Sequence, residues 1–363
     1  MAKSKYYSVE RIFKKNADYN IIIGKRSNGK TYNCCDMAIN SYLKYGARTA
    51  YIRRFAEDIT PKNIQNLFLP HNITDLTDNS YNITTYKSRQ FRLAYAEDGK
   101  VLHTDDTCFC QAFSLNSWER VKGADNGYFE YIIFDEFMSR GQYLPNEFII
   151  FCNVLSSLLR DRAGTKIFML ANTVNKYCPY FAEMGIDKII PTMEQGEIKT
   201  ARFGDLKIAI EYCADSENTK PVSKYFNFDN PQLQMITTGK WEIKNYPHLT
   251  ESITKENIVF KFFIDFDNNF LCGDVCEKHN DIFIHFHHAK REEYKNTDFL
   301  FDLSTPYITP YKCQTIDDGT TKAHSIIKSL ISRNMCFYST NEVGEIVRNW
   351  ILAQRNYNRE KVL

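Results

Sequence analysis

The sequence predicts an α/β fold with a mainly parallel sheet, and three observations lead to that prediction. From residue 1 to about residue 214, strand-like apolar runs alternate with segments of helical period, which is typical of a parallel sheet covered by helices. A glycine-rich loop, residues 24–31, directly follows the apolar run 19–23. A second β-rich region begins near residue 251, and a chain of 363 residues exceeds what one hydrophobic core usually organises. We therefore expect a large domain and a smaller one.

The elements of the first region follow from local patterns. Apolar runs of strand length occupy residues 20–23, 49–53, 131–134 and 166–170. Helical patterns predict one helix that ends at Gly46 and another that begins near Pro145. Residues 81–114 instead alternate apolar and polar side chains around an Asp98-Gly99 turn. This alternation predicts an antiparallel excursion inserted in the sheet.

The chain divides into three parts on this evidence, and the first domain spans residues 1–214. Residues 215–250 are polar, interrupted by proline and glycine, and lack a regular period, which predicts a linker or small lid. Residues 251–363 contain apolar runs with a turn at residues 267–269, followed by helical patterns. We interpret them as a β-meander with terminal helices, which is a smaller α/β domain.

Charge and cysteine content limit the classes of partner and compartment. The chain carries 46 basic and 44 acidic residues, a net charge of +2, so any contact with nucleic-acid phosphates must come from local clusters of cations. The eleven cysteines lack the spacing of a disulfide scaffold, so we expect free thiols in a reducing cytoplasm. The sequence has neither an apolar window of membrane-spanning length nor a signal-peptide pattern, so we expect a cytoplasmic protein without a membrane partner.

The loop GKRSNGKT carries the clearest chemical signal. A glycine, four residues and then Gly-Lys-Thr, between a strand and a helix, is the pattern of a loop whose backbone N–H groups bind phosphate oxygens. In such a loop Lys30 reaches the β- and γ-phosphates, and the Thr31 hydroxyl ligates Mg²⁺. The alternative is a coincidental glycine-rich turn, which the flanking strand and helix disfavour. The predicted cofactors are ATP and Mg²⁺, and the predicted loop contacts are Gly24, Arg26, Ser27, Asn28, Gly29, Lys30 and Thr31.

A pair of acids supplies the second half of the predicted site. The apolar strand in YIIFDEF ends in Asp135-Glu136, and two adjacent carboxylates without an evident salt-bridge partner nearby repel each other. A metal ion and a water explain both acids: Asp135 holds Mg²⁺, and Glu136 orients or deprotonates the attacking water. The pair therefore indicates hydrolysis, with an exposed acidic strand end as the alternative.

Further polar residues follow the next helix and strand. The strand 166–170 leads to Asn172, which is expected beside the γ-phosphate. Arg160 and Arg162 close the preceding helix, where either could stabilise transition-state charge from a neighbouring subunit. A solvated helix end favoured by the helix dipole explains the same two arginines, so both interpretations stay open. Lys122, together with Arg26, is a further cation that could contact phosphate.

The order GKRSNGKT, YIIFDEF, RDR and LANT, followed by a linker and a small β-rich domain, resembles a known family. It is similar to the double-stranded DNA packaging ATPases of small tailed bacteriophages of the phi-twenty-nine group. These are related to large terminase subunits and to ring translocases of the additional-strand, catalytic-glutamate (ASCE) class of P-loop ATPases. The resemblance implies a homo-oligomeric ring, a pentamer, on the portal of an empty capsid, which pumps double-stranded DNA inward and hydrolyses ATP at subunit interfaces. It also implies the cytoplasm of an infected bacterium as the location, with transient binding to the procapsid and a scaffold RNA as a further partner.

The resemblance also implies roles for individual residues. It makes Lys30 the phosphate-loop lysine, Asp135 the metal acid and Glu136 the catalytic glutamate. The arginine acting in trans would be Arg162, with Arg160 as the alternative. The lysine acting in trans would match Lys122, and an arginine inside the phosphate loop would match Arg26.

For the C-terminal domain the resemblance implies an RNase H-type nuclease fold. Two-metal cleavage needs several carboxylates that converge from separate strands. The sequence offers Asp265, Asp267, Asp274, Asp281 and the pair Asp317-Asp318, and no later strand end presents a clear partner. We expect a vestigial nuclease domain that has kept the fold, lost the cutting activity and docks on the portal or on a scaffold RNA.

The same domain contains a group of possible zinc ligands. They are Cys272, Cys276, His279, His285, His287 and His288. Their spacing along the chain fits no common structural zinc finger. His285 and His287 are expected on one face of a strand, with His288 on the opposite face. Ordinary strand residues are the favoured interpretation.

A motor that moves duplex DNA must hold phosphates through lysine and arginine without reading bases. The candidates lie at the end of the second strand and in the antiparallel excursion: Arg53, Arg54, Lys87, Arg89, Arg92 and Lys100. A solvated hairpin face explains the excursion charges equally well. The alternative functions are a ring helicase or conjugation-type DNA pump, a terminase with an active nuclease, and a nucleotide-dependent assembly factor that does not translocate.

Overall fold

The computed structural model describes residues 7–64, 66–71, 73–81, 83–87, 89–98, 100–120, 127–139, 143–144, 146–160, 162–174, 178–214, 241 and 246–360, without the side chains of 83–87, 118–120 and 355–360. The chain forms two compact units. The first comprises Met1–Arg140 and Asn146–Ile243, and the second comprises Gly141–Pro145 and Lys244–Leu363. Most of the predicted linker lies outside the described residues, so the linker remains a prediction.

Within the described residues, the first unit is built on a ten-stranded sheet. Its strands are β1 (Tyr19–Gly24), β2 (Thr49–Arg53), β3 (Ile83–Lys87), β4 (Gln90–Glu97), β5 (Lys100–Thr104), β6 (Cys110–Ser114), β7 (Tyr131–Asp135), β8 (Lys166–Asn172), β9 (Ile198–Phe203) and β10 (Leu206–Tyr212). Its helices are α1 (Glu10–Phe13), α2 (Lys30–Tyr45), α3 (Pro61–Ile64), α4 (Ile73–Leu76), α5 (Glu147–Leu159) and α6 (Pro179–Glu183).

The strand order of this sheet is β3-β4-β6-β2-β7-β8-β1-β10-β9, with β5 paired to β4. Within the run from β6 to β10 in this order, each strand is parallel to the next one. Central parallel strands are covered on both faces and read as continuous apolar runs, and β1, β2 and β7 are buried at four or five consecutive positions. The predicted α/β fold with a mainly parallel sheet is confirmed.

Most local predictions in this unit agree with the structure. The four predicted strands are present, α2 ends directly before Gly46, and α5 begins at Glu147, shortly after the predicted start. Strands β3, β4 and β5 form the predicted antiparallel excursion. Strand β6, at the end of the same stretch, differs because it pairs parallel with β2 on one side and antiparallel with β4 on the other. All five of its residues are buried, so the alternating pattern ends before it.

In its described part, the second unit holds a six-stranded sheet with two helices packed on it. Its elements are β11 (Ile258–Phe266), β12 (Asn269–Lys278), β13 (Asp281–His288), β14 (Phe299–Asp302), β15 (Lys312–Cys313), α7 (Lys322–Ser332), β16 (Cys336–Tyr338) and α8 (Asn341–Glu360). The strand order is β15-β14-β11-β12-β13-β16. The predicted meander is β11–β13, and its first turn contains Asp267 and Asn268, both with positive φ.

The two faces of this second sheet differ. One face packs against α7 and α8 in a core that includes Phe262, Phe286 and the fully buried Trp350. The other face carries a smaller apolar cluster that contains Phe263 and Cys272. Among the described residues of the whole chain, no helix combines the length and apolar character needed to cross a membrane.

Candidate active site

Three parallel strand ends bring the predicted site together. Strand β8 lies between β1 and β7, and the register pairs Gly24 with Asn172 and Asp135 with Leu170. Carboxyl ends of neighbouring parallel strands meet at one edge of a sheet, where ligands of open α/β sheets bind. The phosphate loop, the two acids and Asn172 therefore lie at the same edge.

Lys30 lies inside the loop and donates hydrogen bonds to its inner carbonyls. Its Nζ is 3.1 Å from the Gly24 carbonyl oxygen, 2.8 Å from that of Lys25, and 3.1 Å from Asn28 Oδ1. A fourth contact reaches Asn172 Oδ1 at 3.3 Å. Burial lowers the pKa of Lys30. The four contacts place the ammonium at the centre of the loop, where it can bind phosphate oxygens.

The loop backbone has the conformation that phosphate binding needs. Gly29, immediately before α2, has φ +93°, a left-handed conformation that glycine adopts without strain. A Cβ on Gly24 would lie 2.7 Å from the Cβ of Cys213, so only glycine fits between the loop and Cys213, the residue that follows β10. Because the loop leads directly into the first turn of α2, its N–H groups and the helix dipole favour an anion there.

Thr31 and Asp135 form an oxygen pair of the kind that binds Mg²⁺. The Thr31 hydroxyl donates to both Asp135 carboxylate oxygens, at 3.2 and 3.1 Å. Two ligands about 2.1 Å from an octahedral Mg²⁺ in adjacent positions are about 3 Å apart, so this spacing fits the ion. The Tyr51 hydroxyl also donates to Asp135, at 2.8 Å, and burial together with the Asp135 charge raises the Tyr51 pKa. Tyr51 thus fixes the carboxylate from β2.

Glu136 has a salt-bridge partner that the sequence did not reveal. Arg53 Nη2 lies 2.6 Å from Glu136 Oε2, and Arg53 Nη1 lies 3.8 Å from Asp135 Oδ2. The expectation that neither acid has a nearby cation was wrong, because β2 lies directly beside β7. The structure places Arg53, predicted as a DNA contact, against the acids of the site.

Arg54 is also placed differently from its predicted role in DNA binding. Its side chain is 6% exposed, and its Nε and Nη2 donate to the two carboxylate oxygens of Glu147 at 2.7 and 2.9 Å. Tyr180 donates to the same carboxylate at 2.8 Å. A guanidinium held in this way is not presented to a DNA phosphate, so the predicted DNA contact of Arg54 is wrong in this structure.

The loop, the acids and Asn172 enclose a cavity of about 210 Å³. Its lining is Arg26, Ser27, Asn28, Gly29, Lys30, Thr31, Tyr32, Asp135, Glu136, Ala171 and Asn172. The sequence singled out all of these except Tyr32 and Ala171. Tyr32 is 44% exposed, and its ring stacks on that of His71 with centroids 4.3 Å apart.

The other cations that the sequence proposed for phosphate or DNA contacts do not line this cavity within the described residues. Arg160 and Arg162 are exposed after α5, and the Arg162 guanidinium lies over the Tyr128 ring, 5.4 Å from its centroid. Lys122 and the side chain of Lys87 lie outside the described residues. In the excursion, Lys100 is exposed and Arg89 is half-buried, and Arg92 donates to the Asp105 carbonyl at 3.2 Å and to Gln90 at 3.0 Å.

Two carboxylates of the second unit lie side by side on neighbouring strands, an arrangement that the sequence did not predict. Asp265 on β11 is the register neighbour of Asp302 on β14, a residue that is not among the carboxylates named from the sequence. Arg291 binds both oxygens of Asp265, with one contact at 2.8 Å, and Lys312 Nζ lies 3.3 Å from Asp302. Each carboxylate therefore faces a cationic side chain of the same unit.

Comparisons with known proteins identify similar sequences and structures. The family described as podovirus DNA encapsidation protein (Gp16) matches residues 1–215. The DNA packaging protein of Bacillus phage phi29 is 27% identical over 185 residues, 50% of this chain and 50% of the relative. That of Bacillus phage B103 is 29% identical over 171 residues, 46% of this chain and 48% of the relative. This chain spans about half the length of the relatives it matches.

Two solved structures share the fold over nearly the whole chain. The Phi-28 gp11 DNA packaging motor has a TM-score of 0.60 at 16% identity, and the match covers 97% of this chain and 99% of that chain. The bacteriophage Phi-29 viral genome packaging motor assembly has a TM-score of 0.59 at 18% identity, covering 97% and 100%.

Proposed function

The chain belongs to the podovirus DNA encapsidation protein (Gp16) family, and from this premise we propose that it is an ATP-hydrolysing motor that moves double-stranded DNA into a preformed capsid. The observation that carries the proposal is the meeting of Lys30, Thr31, Asp135 and Glu136 at one cavity. A protein that only bound a nucleotide would have no need of an acid in the position of Glu136.

The roles of these residues follow from their positions. Lys30 and the loop N–H groups hold the phosphates of ATP, and Asn172 keeps Lys30 in place. Thr31 and Asp135 hold Mg²⁺, which neutralises charge on the phosphates when it is bound. Glu136, half exposed beside them, accepts the proton of the attacking water.

The ring arrangement rests on the family and on the two exposed arginines. Arg160 and Arg162 lie outside the cavity of their own subunit, so either would act on ATP bound by a neighbour. A closed homo-oligomeric ring around DNA, bound to the capsid portal in the host cytoplasm, is the assembly that would use them. The pentameric count and a scaffold RNA partner belong to this proposal.

We assign the parts of the motor as the sequence suggested. Residues 1–214 form the ATPase domain, 215–250 the linker or lid, and 251–363 a domain of RNase H type that docks and does not cut. The ion pairs Asp265–Arg291 and Asp302–Lys312 support the absence of cutting, because the side chains occupy the carboxylates that metal ions would need.

The purified chain is expected to leave supercoiled plasmid DNA intact in the presence of Mg²⁺ or Mn²⁺. The physical reason is that the Arg291 and Lys312 cations compete with metal ions for Asp265 and Asp302. Gel electrophoresis of the plasmid after incubation measures any nicking or linearisation. Metal-dependent cleavage that disappears in Asp265→Asn would contradict this part of the proposal. Cleavage that is equal in both proteins would not depend on Asp265.

Replacing Arg53 with glutamine is expected to raise the ATPase rate measured without DNA. Arg53 holds Oε2 of the Glu136 carboxylate at 2.6 Å, so the attacking water must compete with this ion pair for the carboxylate. A partly exposed ion pair contributes about 1 kcal/mol or less, so the increase is at most about fivefold. Lys199→Gln, a matched change at the 3.6 Å Glu197 pair on β9, should leave the rate unchanged. A large fall with Arg53→Gln would mean that Arg53 assists hydrolysis instead.

The test of the proposed function is steady-state ATP hydrolysis with and without linear duplex DNA, repeated with added portal-bearing capsids. With capsids present, duplex DNA should raise the rate, and the stimulation should fall as salt rises because contacts to the DNA backbone dominate. Stimulation by DNA that is independent of capsids would favour a helicase or other DNA pump. Hydrolysis that ignores DNA with and without capsids would favour the assembly factor and contradict the motor.

A further inference from the structure

Three side chains with different ligand atoms meet on the second sheet, far along the chain from the phosphate loop. Cys272 and Asp274 alternate on β12, so they project from the same face. His287 on β13 is the register partner of Cys272. Spacing along the chain, where 15 positions separate Cys272 from His287, favours ordinary strand residues for these two, and Asp274 entered only as a possible nuclease carboxylate. The pairing of β12 with β13 removes that separation.

The ligand atoms are close enough to share one ion. Cys272 Sγ lies 3.4 Å from Asp274 Oδ1, and His287 Nε2 lies 3.1 Å from Asp274 Oδ2. One sulfur, one oxygen and one nitrogen atom from the three residues all lie within 4.8 Å of one another. Ligands about 2.0–2.3 Å from a tetrahedral Zn²⁺ are about 3.3–3.8 Å apart, which small side-chain rotations reach from these distances.

We propose that Cys272, Asp274 and His287 form a binding site for a divalent ion of the zinc class, on the sheet face opposite α7 and α8. A thiolate, an imidazole and a carboxylate together select a borderline ion over Mg²⁺, which prefers oxygen ligands alone. Three protein ligands leave the fourth tetrahedral position to water. The site would join β12 to β13 and stabilise the second unit when loaded.

A second observation supports the assignment of the histidine. His287 Nδ1 is 2.9 Å from the His288 carbonyl oxygen, so Nδ1–H donates there and Nε2 faces Asp274. Metal-binding histidines usually have this arrangement, in which a backbone carbonyl orients the ring and leaves the other nitrogen for the ion. Cys272 and Asp274 are 1% and 6% exposed, whereas the His287 side chain is 26% exposed. The ion would therefore reach the site along His287.

One cation competes for this site. Lys261 on β11 places Nζ 3.5 Å from Asp274 Oδ1. Its side chain is 43% exposed, so it can turn into solvent when an ion binds. Removing its charge with Lys261→Met should therefore tighten metal binding. If the three side chains served only the packing of the fold, this variant would not change metal binding.

The experiment is a Co²⁺ titration of the full, reduced, metal-stripped chain followed by absorption spectroscopy. Cobalt bound to a thiolate gives a charge-transfer band in the near ultraviolet, and Co²⁺ at the oxygen-only site of Thr31 and Asp135 does not. We expect a band that saturates at one equivalent and disappears when Zn²⁺ is added. Cys272→Ser should abolish the band, and His287→Asn should weaken Co²⁺ binding by at least about tenfold. Lys261→Met should strengthen it.

Two matched controls lie on the same strands. Cys276→Ser changes a buried thiol four positions further along β12, and His288→Asn changes the next residue on the opposite face of β13. Both should keep the band. If Cys272→Ser does not fold, Asp274→Asn tests the site instead, and it should weaken Co²⁺ binding as His287→Asn does. The absence of a band in the wild-type chain, or a band that survives both Cys272→Ser and His287→Asn, overturns the proposal. Neither result bears on ATP hydrolysis, which is measured separately.

Discussion

Replacing Glu136 with glutamine is expected to slow steady-state ATP hydrolysis by about 10²- to 10⁴-fold, the usual contribution of a general base. Glutamine has nearly the same shape but cannot accept the proton of the attacking water. Lys30 and the loop N–H groups remain, so ATP binding should be nearly unchanged. The rate is measured by phosphate release at saturating ATP, and binding by titration with a fluorescent ATP analogue.

The control for this variant is Glu97→Gln, the same change at an exposed position on β4. It should leave both the rate and the affinity unchanged. Loss of ATP affinity in Glu136→Gln would mean that the carboxylate shapes the site instead of acting on water. A rate within about twofold of wild type would assign the proton to another group and remove the main support for hydrolysis at this cavity.

Replacing Arg54 with methionine is expected to lower the free energy of unfolding of the first unit by about 3–5 kcal/mol. The Arg54–Glu147 pair is buried, with side-chain exposures of 6% and 3%, and removal of the guanidinium leaves a charged carboxylate without its ionic partner. Urea unfolding measures the loss. The transition of the first unit is identified as the one that Mg-ADP shifts, since a ligand stabilises only the unit that binds it.

Two further variants separate the ion pair from general damage. The double variant Arg54→Met/Glu147→Met should recover much of the loss, because an apolar pair leaves no buried charge. Arg202→Met, at an exposed position on β9, should change stability by about 0.5 kcal/mol or less. If Arg54→Met were as stable as Arg202→Met, the buried ion pair would contribute nothing measurable.

The sequence predicted the parts of the site that depend on neighbouring residues in the chain. The phosphate loop is continuous with β1 and α2, so the roles expected of Lys30 and Thr31 need only a strand before them and a helix after them. The Asp135-Glu136 pair ends an apolar run, which marks the end of a parallel strand. Since such ends meet at one edge of the sheet, the sequence could predict that the loop and the acids lie together.

The sequence could not predict contacts that depend on strand order. Arg53 and Glu136 are separated by 83 positions, and only the placement of β2 beside β7 brings them together. Arg54 shows the same limit, because an arginine at the end of an apolar run is expected to be exposed, and only the placement of α5 brings Glu147 to it. In the second unit, Asp302 becomes the neighbour of Asp265 only through the parallel pairing of β11 with β14. Hydrophobic periodicity indicates which residues are buried, but not which strands are adjacent.

Strand β2 has a mechanical consequence for the site. Its last residues contact both acids, since Tyr51 binds Asp135 and Arg53 binds Glu136, and the next residue, Arg54, binds Glu147 of α5. Its other edge is hydrogen-bonded to β6, which in turn pairs with the antiparallel excursion. A load applied to the excursion would therefore pass through two strand ladders before it reaches the carboxylates. In the proposed motor, β2 would therefore connect the periphery of the sheet to Asp135 and Glu136, and tension at the periphery would change the spacing around these two acids.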